Sequence, residues 1–298
     1  MQVYKGMDIG TAKPSTAEQK KIRHHLLDLV SPRSSFSVYQ YRKHALEALN
    51  EITRRERVPL VVGGSGLYVS TLWRGNSAPG GRIAAFREKL ARLAREKDPH
   101  FLHERLKKIN PRRAGELHPN DERRIIRALE IAEFSGKPQS RQPSLEDLGF
   151  SVRIFGIGRE RAELYERINK RVEAMFRKGF VKEVARLRKS GISKTAKQAL
   201  GYREVLAVIA SPPLKQWRAK QSRFEIASSA LGPPRNDGAG LIPLIQRNTR
   251  HFAKRQLTWF RRMKEIEWIP WKPGEPVAAV CDKILTEVKP WLENGRFS

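Results

Sequence analysis

Apolar residues recur along this chain in two rhythms. Residues 58–62 (VPLVV) form an unbroken apolar run between Arg57 and Gly63, the pattern of a strand buried on both faces. A glycine turn at 63–66 (GGSG) follows at once, then LYVSTL at 67–72, so the segment reads strand, turn, helix. Residues 25–30 (HLLDLV) and 152–157 (VRIFGI) predict two further strands, and residues 1–4 (MQVY) are strand-like from the start. Between them Val38, Tyr41, Ala45, Leu49 and Ile52 fall at helical spacing. Strands alternating with helices predict an α/β fold on a parallel sheet with right-handed crossovers.

From about 77 to 142 the strand rhythm stops. Phe86, Leu90, Leu93, and later Ile125, Ile126 and Leu129, mark short charged helices. This predicts a helical lobe, 77–142, inserted into a split α/β core of residues 1–76 and 143–298. Leu164, Ile168, Val172 and Phe176 then predict a long amphipathic helix, with Val184 and Leu187 marking a second beyond Gly179. Residues 222–240 are rich in proline and glycine without periodicity, and are expected to form a disordered insertion. A helix resumes near Leu241 and runs to about Met263; a closing helix over 278–292 is expected to be interrupted at Pro290.

Charge sharpens the picture. Lys and Arg number 59 against 31 Asp and Glu, a formal charge of +28. Such a surplus repels itself unless a partner neutralises it. The cations sit in folded, periodic segments, which suits nucleic acid better than a membrane surface. The alternative is a chain that is simply basic throughout. No window approaches 18 uninterrupted apolar residues, and the single cysteine, Cys281, excludes an internal disulfide or a cysteine-based zinc site. A monomer in the cytoplasm is the expectation.

Three segments could carry chemistry. The glycines at 63–66 let backbone approach a ligand, and the helix after them offers free amides to an anion; the other reading is an ordinary turn capped by Ser65. Arg123 and Arg127 share a helical face that could hold phosphates, or could pair with Glu130. Residues 246–264 hold seven Lys or Arg and no acid, interleaved with Phe252, Trp259 and Phe260, as an RNA-facing helix would; the alternative is a surface helix with Trp259 in the core. No Walker A loop occurs, and the seven histidines form no metal-binding set.

Taken together the chain resembles the tRNA dimethylallyltransferase (isopentenyltransferase) family. The matching pieces are MQVYKGMDIGTAKP at 1–14, HHLLD at 24–28, PLVVGGSGLY at 59–68, HPNDERRIIRALE at 118–130, GYR at 201–203 and TRHFAKRQLTWFR at 249–261. The resemblance implies a P-loop NTPase-like core with a lobe that grips the tRNA anticodon arm. It also implies transfer of a dimethylallyl group from dimethylallyl diphosphate to N6 of the adenosine 3′ of the anticodon, with Mg²⁺. Ser65 and Arg203 match positions at the reacting centre. Met1, Gln2, Ser65, Arg87, Arg123, Arg124, Arg127, Gln198, Gly201, Tyr202 and Arg203 match tRNA-contacting segments. So do Lys254, Arg255, Gln256, Thr258, Trp259 and Arg261. The family's P-loop, first strand and catalytic aspartate would precede Met1, so an N-terminally truncated chain is expected. A non-catalytic RNA-binding remnant is the alternative class.

Overall fold

In a computed structural model of the chain, the described residues are 1–75, 83–98, 100–134, 142–210 and 240–293. The chain divides into two units, Met1–Leu72 with Gly149–Ser298, and Trp73–Leu148. The expected boundaries at 76 and 143 lie within a few residues of these.

The first unit is α/β. Strand β1 (Ile154–Arg159) pairs in parallel with β2 (Ile266–Trp271), Ile154 opposite Ile266 and Arg159 opposite Trp271. Around them run α1 (Thr16–Lys21), α2 (Val38–Thr53), α3 (Gly66–Arg74, ending past the unit boundary), α8 (Arg161–Arg177), α9 (Phe180–Ser190), α10 (Tyr202–Ala210), α11 (Leu241–Phe260) and α12 (Val277–Glu293). Helix α2 starts where it does because Ser37 and Gln40 form a reciprocal capping box, the Gln40 amide donating to Ser37 Oγ at 3.2 Å. The core of this unit is built from Tyr4, Met7, Phe180, Val184, Tyr202, Val205 and Ile245, all buried. Helix α3 is tied to α2 by stacked rings of Tyr41 and Tyr68, 4.3 Å apart, and by Arg42 Nε donating to the Thr71 carbonyl at 2.9 Å.

Three expected strands do not form. Leu26 and Asp28 take left-handed backbone, φ 63° and 52°, which breaks the 25–30 run; only Val30 pairs, as an isolated parallel bridge with Tyr4. Residues 1–4 contribute that one bridge and no ladder. Residues 58–62 run without a hydrogen-bonded neighbour among the described residues, and Leu60 and Val62 are each 85 % exposed. An extended run becomes a strand only when a second chain segment accepts its ladder, and Pro59 removes one donor besides. Conversely, the apolar pattern predicts no element at 266–271, where β2 forms; Pro270 is tolerated there because on a two-stranded sheet its missing amide can face away from the ladder. Helix α12 runs through Pro290, which lies in its last turn, so the interruption expected there is absent.

The second unit is helical: α4 (Ile83–Glu96), α5 (Phe101–Ile109), α6 (Pro111–Gly115) and α7 (Glu122–Phe134). Leu90, Leu102, Leu106, Ile125 and Leu129 form its own core. Residues 222–239 of the expected insertion lie outside the described residues, as do the 79–81 and 137–140 brackets of the lobe; Gly240 caps α11.

Candidate functional site

The glycine turn at 63–66 rests on α11. Gln256 Nε2 donates to the Gly64 carbonyl at 2.6 Å. A Cβ at Gly64 would lie 2.5 Å from that same Nε2, and one at Gly66 would lie 2.5 Å from the Trp259 indole, so close approach requires glycine at both. Ser65, between them, is exposed, and its hydroxyl makes no hydrogen bond among the described residues. Its carbonyl accepts the Val69 amide at 3.0 Å, which opens α3 and leaves the amides of Gly66 and Leu67 ahead of the first intrahelical bond. The turn thus presents a hydroxyl and two donors beside α11.

A second cluster is built from the first residues and the GYR segment. Glu183, 6 % exposed, accepts the amides of Asp8 at 3.0 Å, Ile9 at 2.8 Å and Gly10 at 3.2 Å. The Tyr202 hydroxyl donates to its Oε1 at 2.5 Å, and burial, then that bond, push the phenol well above its ordinary value. Lys13, almost wholly buried, bridges Asp8 at 2.6 Å and Asp28 at 2.5 Å and donates to the Tyr4 carbonyl at 2.9 Å, so the GMDIGTAKP and HHLLD segments become one body. Gln2 donates to the carbonyls of Thr11 and Ala12 in the same loop, and Met1 is exposed.

Arg203 projects from this cluster. Its guanidinium donates to Glu204 Oε1 at 2.8 Å, while the Arg203 side chain is 58 % exposed and that of Glu204 is buried. Glu204 also accepts the Gly201 amide at 2.8 Å and Asn248 of α11 at 2.9 Å. Burial works to raise the Glu204 carboxyl, but the bonds from Arg203 and Asn248 outweigh it and hold the group below the usual carboxylate range. Helix α11 therefore touches both clusters, Asn248 at the GYR segment and Gln256 at the glycine turn, about 12 Å apart along its axis. Tyr202, expected to face tRNA, is fully buried, and Gly201 is buried beside it; both serve packing, because Tyr202 must reach Glu183. Gln198, in the short 3₁₀ turn Ala196–Gln198, is exposed.

On α11 itself Lys254, Arg255, Thr258 and Trp259 are exposed, as is Arg261 at its end. Trp259 is 47 % exposed, so the reading of that indole as a core anchor does not hold. Lys254, Arg255 and Arg261 enter no ion pair among the described residues.

In the helical unit the arginines divide. Arg87 Nη2 donates to Glu130 Oε2 at 2.9 Å and Arg127 Nη1 to the same oxygen at 3.2 Å; Glu130 is fully buried. These two neutralise an internal carboxylate, so Arg127 takes the Glu130-paired alternative. Arg123 and Arg124 are exposed, Arg124 lying 3.4 Å from Asp121.

Sequence reasoning missed Glu183, Glu204, Asn248 and Lys13. The available signal was a single acid inside an otherwise apolar face, as in YREVLAVIA at 202–210. Among the described residues no three of His, Cys, Asp or Glu come together to hold a metal, so these side chains do not fit a protein-built Mg²⁺ site. No helix among them is long and apolar enough to cross a membrane.

Comparison with known proteins adds the following. The family model described as IPP transferase matches residues 2–263. A tRNA dimethylallyltransferase of Pelotomaculum thermopropionicum is 39 % identical over 95 % of this chain and 84 % of its own length. One from Geobacter sulfurreducens is 41 % identical over 90 % of this chain and 81 % of its own. Among solved structures, the full-length tRNA isopentenylpyrophosphate transferase of Bacillus halodurans superposes with a TM-score of 0.59 at 31 % identity, covering 99 % of this chain and 88 % of that one. A eukaryotic dimethylallyltransferase acting on tRNA shares the fold, with a TM-score of 0.72 at 21 % identity over 99 % of this chain and 71 % of that one. The match begins at residue 2, and these comparisons do not support the expected truncation.

Proposed function

The chain belongs to the IPP transferase family, and from that premise we propose that it transfers a dimethylallyl group from dimethylallyl diphosphate to N6 of the adenosine 3′ of a tRNA anticodon. One observation carries the reading. The glycine turn is packed by Gln256 and Trp259 onto the helix that exposes Lys254, Arg255 and Arg261, and among the described residues neither the Ser65 hydroxyl nor these three cations has a partner in a hydrogen bond or ion pair. A diphosphate-sized donor set at the start of α3 and an RNA-sized basic face on α11 are thus packed against each other.

In the transfer, the N6 amine attacks C1, the C1–oxygen bond breaks, diphosphate leaves, and the proton lost from N6 passes to solvent water or to the departing diphosphate. The Ser65 hydroxyl and the amides of Gly66 and Leu67 are placed to bind phosphate oxygens. Arg203, aimed by Glu204, meets the charge that develops on the leaving group. Lys254, Arg255, Thr258 and Arg261 bind RNA phosphates, and Trp259 offers a stacking face. Arg123 and Arg124 extend the RNA contact on the helical unit. Mg²⁺ would travel with the diphosphate, held by phosphate oxygens and water. The same proposal includes a monomer acting in the cytoplasm.

The experiment is to incubate the purified chain with an unmodified tRNA, dimethylallyl diphosphate and Mg²⁺, and to analyse the digested nucleosides by mass. Dimethylallyl-adenosine should appear, and should vanish when that adenosine is replaced by guanosine. tRNA that is bound but returned unmodified would overturn transfer in favour of an RNA-binding role.

A further inference from the structure

Strands β1 and β2 end side by side, with Arg159 opposite Trp271. Beyond those ends opens a cavity of about 600 Å³ whose lining includes Arg159, Arg261, Trp268, Trp271 and Lys272. The carboxyl ends of parallel strands are where open α/β sheets bind ligands, and this volume is that of a small-molecule site. Nothing in the proposed transfer uses the cavity; only Arg261, on its rim, is shared.

Its chemistry is specific. Trp268 lies over two glycines of β1: a Cβ at Gly156 would meet its ring at 2.8 Å, and one at Gly158 would come within 3.9 Å. The strand thus provides a flat floor for an indole that remains 37 % exposed. Arg159 sits 3.4 Å from the centre of the Trp271 ring and is further held by Glu163. Trp271 Nε1 donates to the Glu275 carbonyl at 2.8 Å, which fixes that ring. The Glu275 carboxylate accepts Lys283 Nζ at 2.5 Å and the Lys272 amide at 2.9 Å. The Lys272 ammonium itself is exposed and makes no ion pair among the described residues. A preset aromatic face beside Lys272 and Arg261, neither of which makes an ion pair among the described residues, suits an aromatic base carrying a phosphate.

We propose that this cavity holds one nucleotide, its base against Trp268 and its phosphate on Lys272 and Arg261. The nucleotide is either a residue of bound tRNA other than the reacting adenosine, or a free mononucleotide. The chain labelled with 5-fluorotryptophan distinguishes them, with the Trp268 and Trp271 fluorine resonances assigned through Trp268→Phe and Trp271→Phe. Adenosine 5′-monophosphate and tRNA are titrated separately. A Trp268 shift with the mononucleotide assigns a free nucleotide; a shift with tRNA alone assigns an RNA residue. In either case Lys272→Ala should weaken the active ligand about tenfold, the loss of one charge-assisted contact, and Lys272→Arg should recover most of it. The unliganded fluorine spectrum shows whether each variant is folded. If neither ligand moves Trp268, or a folded Lys272→Ala binds as the parent does, the proposal is wrong. Dimethylallyl transfer is scored in the same preparations, so failure of the transfer reading would leave a Trp268 response standing.

Discussion

The Tyr202 hydroxyl donates to Glu183 Oε1 at 2.5 Å, and that bond joins the GYR segment to the carboxylate holding the amides of Asp8, Ile9 and Gly10. A carboxylate can accept all four donors; an amide cannot, because one of its ends is itself a donor. Glu183→Gln should therefore leave buried amides unpaired and cost about 2–3 kcal/mol, against about 1–2 kcal/mol for Tyr202→Phe. Urea unfolding should show both as lower midpoints at unchanged slope. Equal midpoints for parent and Glu183→Gln would mean the loop is held by something else.

The two buried groups of this region respond to pH in opposite senses. Tyr202 titrates above its ordinary value of 10.0, so its contribution is complete below about pH 10 and is lost as pH rises past that. Glu204 titrates below its ordinary 4.5, so its contribution is present above about pH 4.5 and is lost as pH falls further. Stability profiles should steepen at both ends. Tyr202→Phe should remove only the alkaline component and Glu204→Gln only the acid one.

Helices were legible because their evidence is local. The apolar spacing of Ile168, Val172 and Phe176 is enough to place α8, and Val184 with Leu187 to place α9. Strands depend on a partner elsewhere in the chain. The run at 58–62 has the right residues and no hydrogen-bonded neighbour among the described residues, whereas 266–271 has a proline and a neighbour, so only the second is a strand. The candidate site divides similarly. Lys254 and Ser65 were legible from an acid-free helix and a glycine turn. Glu183 was not, because the amides it holds are more than 170 residues away.

Glycine substitutions should separate fold from function. A Cβ at Gly10 would lie 2.3 Å from the Phe180 ring and 2.4 Å from that of Tyr202, both fully buried. Gly10→Ala should destabilise the chain by roughly 2–3 kcal/mol, since neither ring can move without opening the core. A Cβ at Gly66 would meet Trp259 first, which is half exposed and can swing outward. Gly66→Ala should keep its thermal midpoint within about 2 °C, a change under about 1 kcal/mol, yet weaken tRNA binding. A large stability loss in Gly66→Ala would show that Trp259 anchors the fold.

Two cations should behave differently in salt titrations. Lys254 is exposed and makes no ion pair among the described residues, so Lys254→Ala should reduce the slope of log K against log salt for tRNA by about one. Arg87 is committed to the buried Glu130. Arg87→Ala should chiefly lower the stability of the helical unit by uncovering that carboxylate. An unchanged slope in Lys254→Ala would remove that residue from the phosphate footprint.

Arg203 is the sharpest test of the chemistry. Its guanidinium is held by Glu204, which is in turn fixed by Asn248 and the Gly201 amide, so the charge is aimed before any substrate arrives. A preorganised donor acts on charge that develops in the transition state, so its loss should fall on kcat and spare KM. Arg203→Ala should lower kcat by roughly 10²- to 10³-fold in dimethylallyl transfer. Arg203→Lys should recover only part of this, because an ammonium cannot reproduce the guanidinium fork that meets Glu204 and the leaving group together. Asn248→Ala tests the support. It removes one of the bonds that fix Glu204, and should give a smaller kcat loss with tRNA affinity unchanged. Full activity in Arg203→Ala would place leaving-group stabilisation on other residues, the cations of α11 being the next to examine.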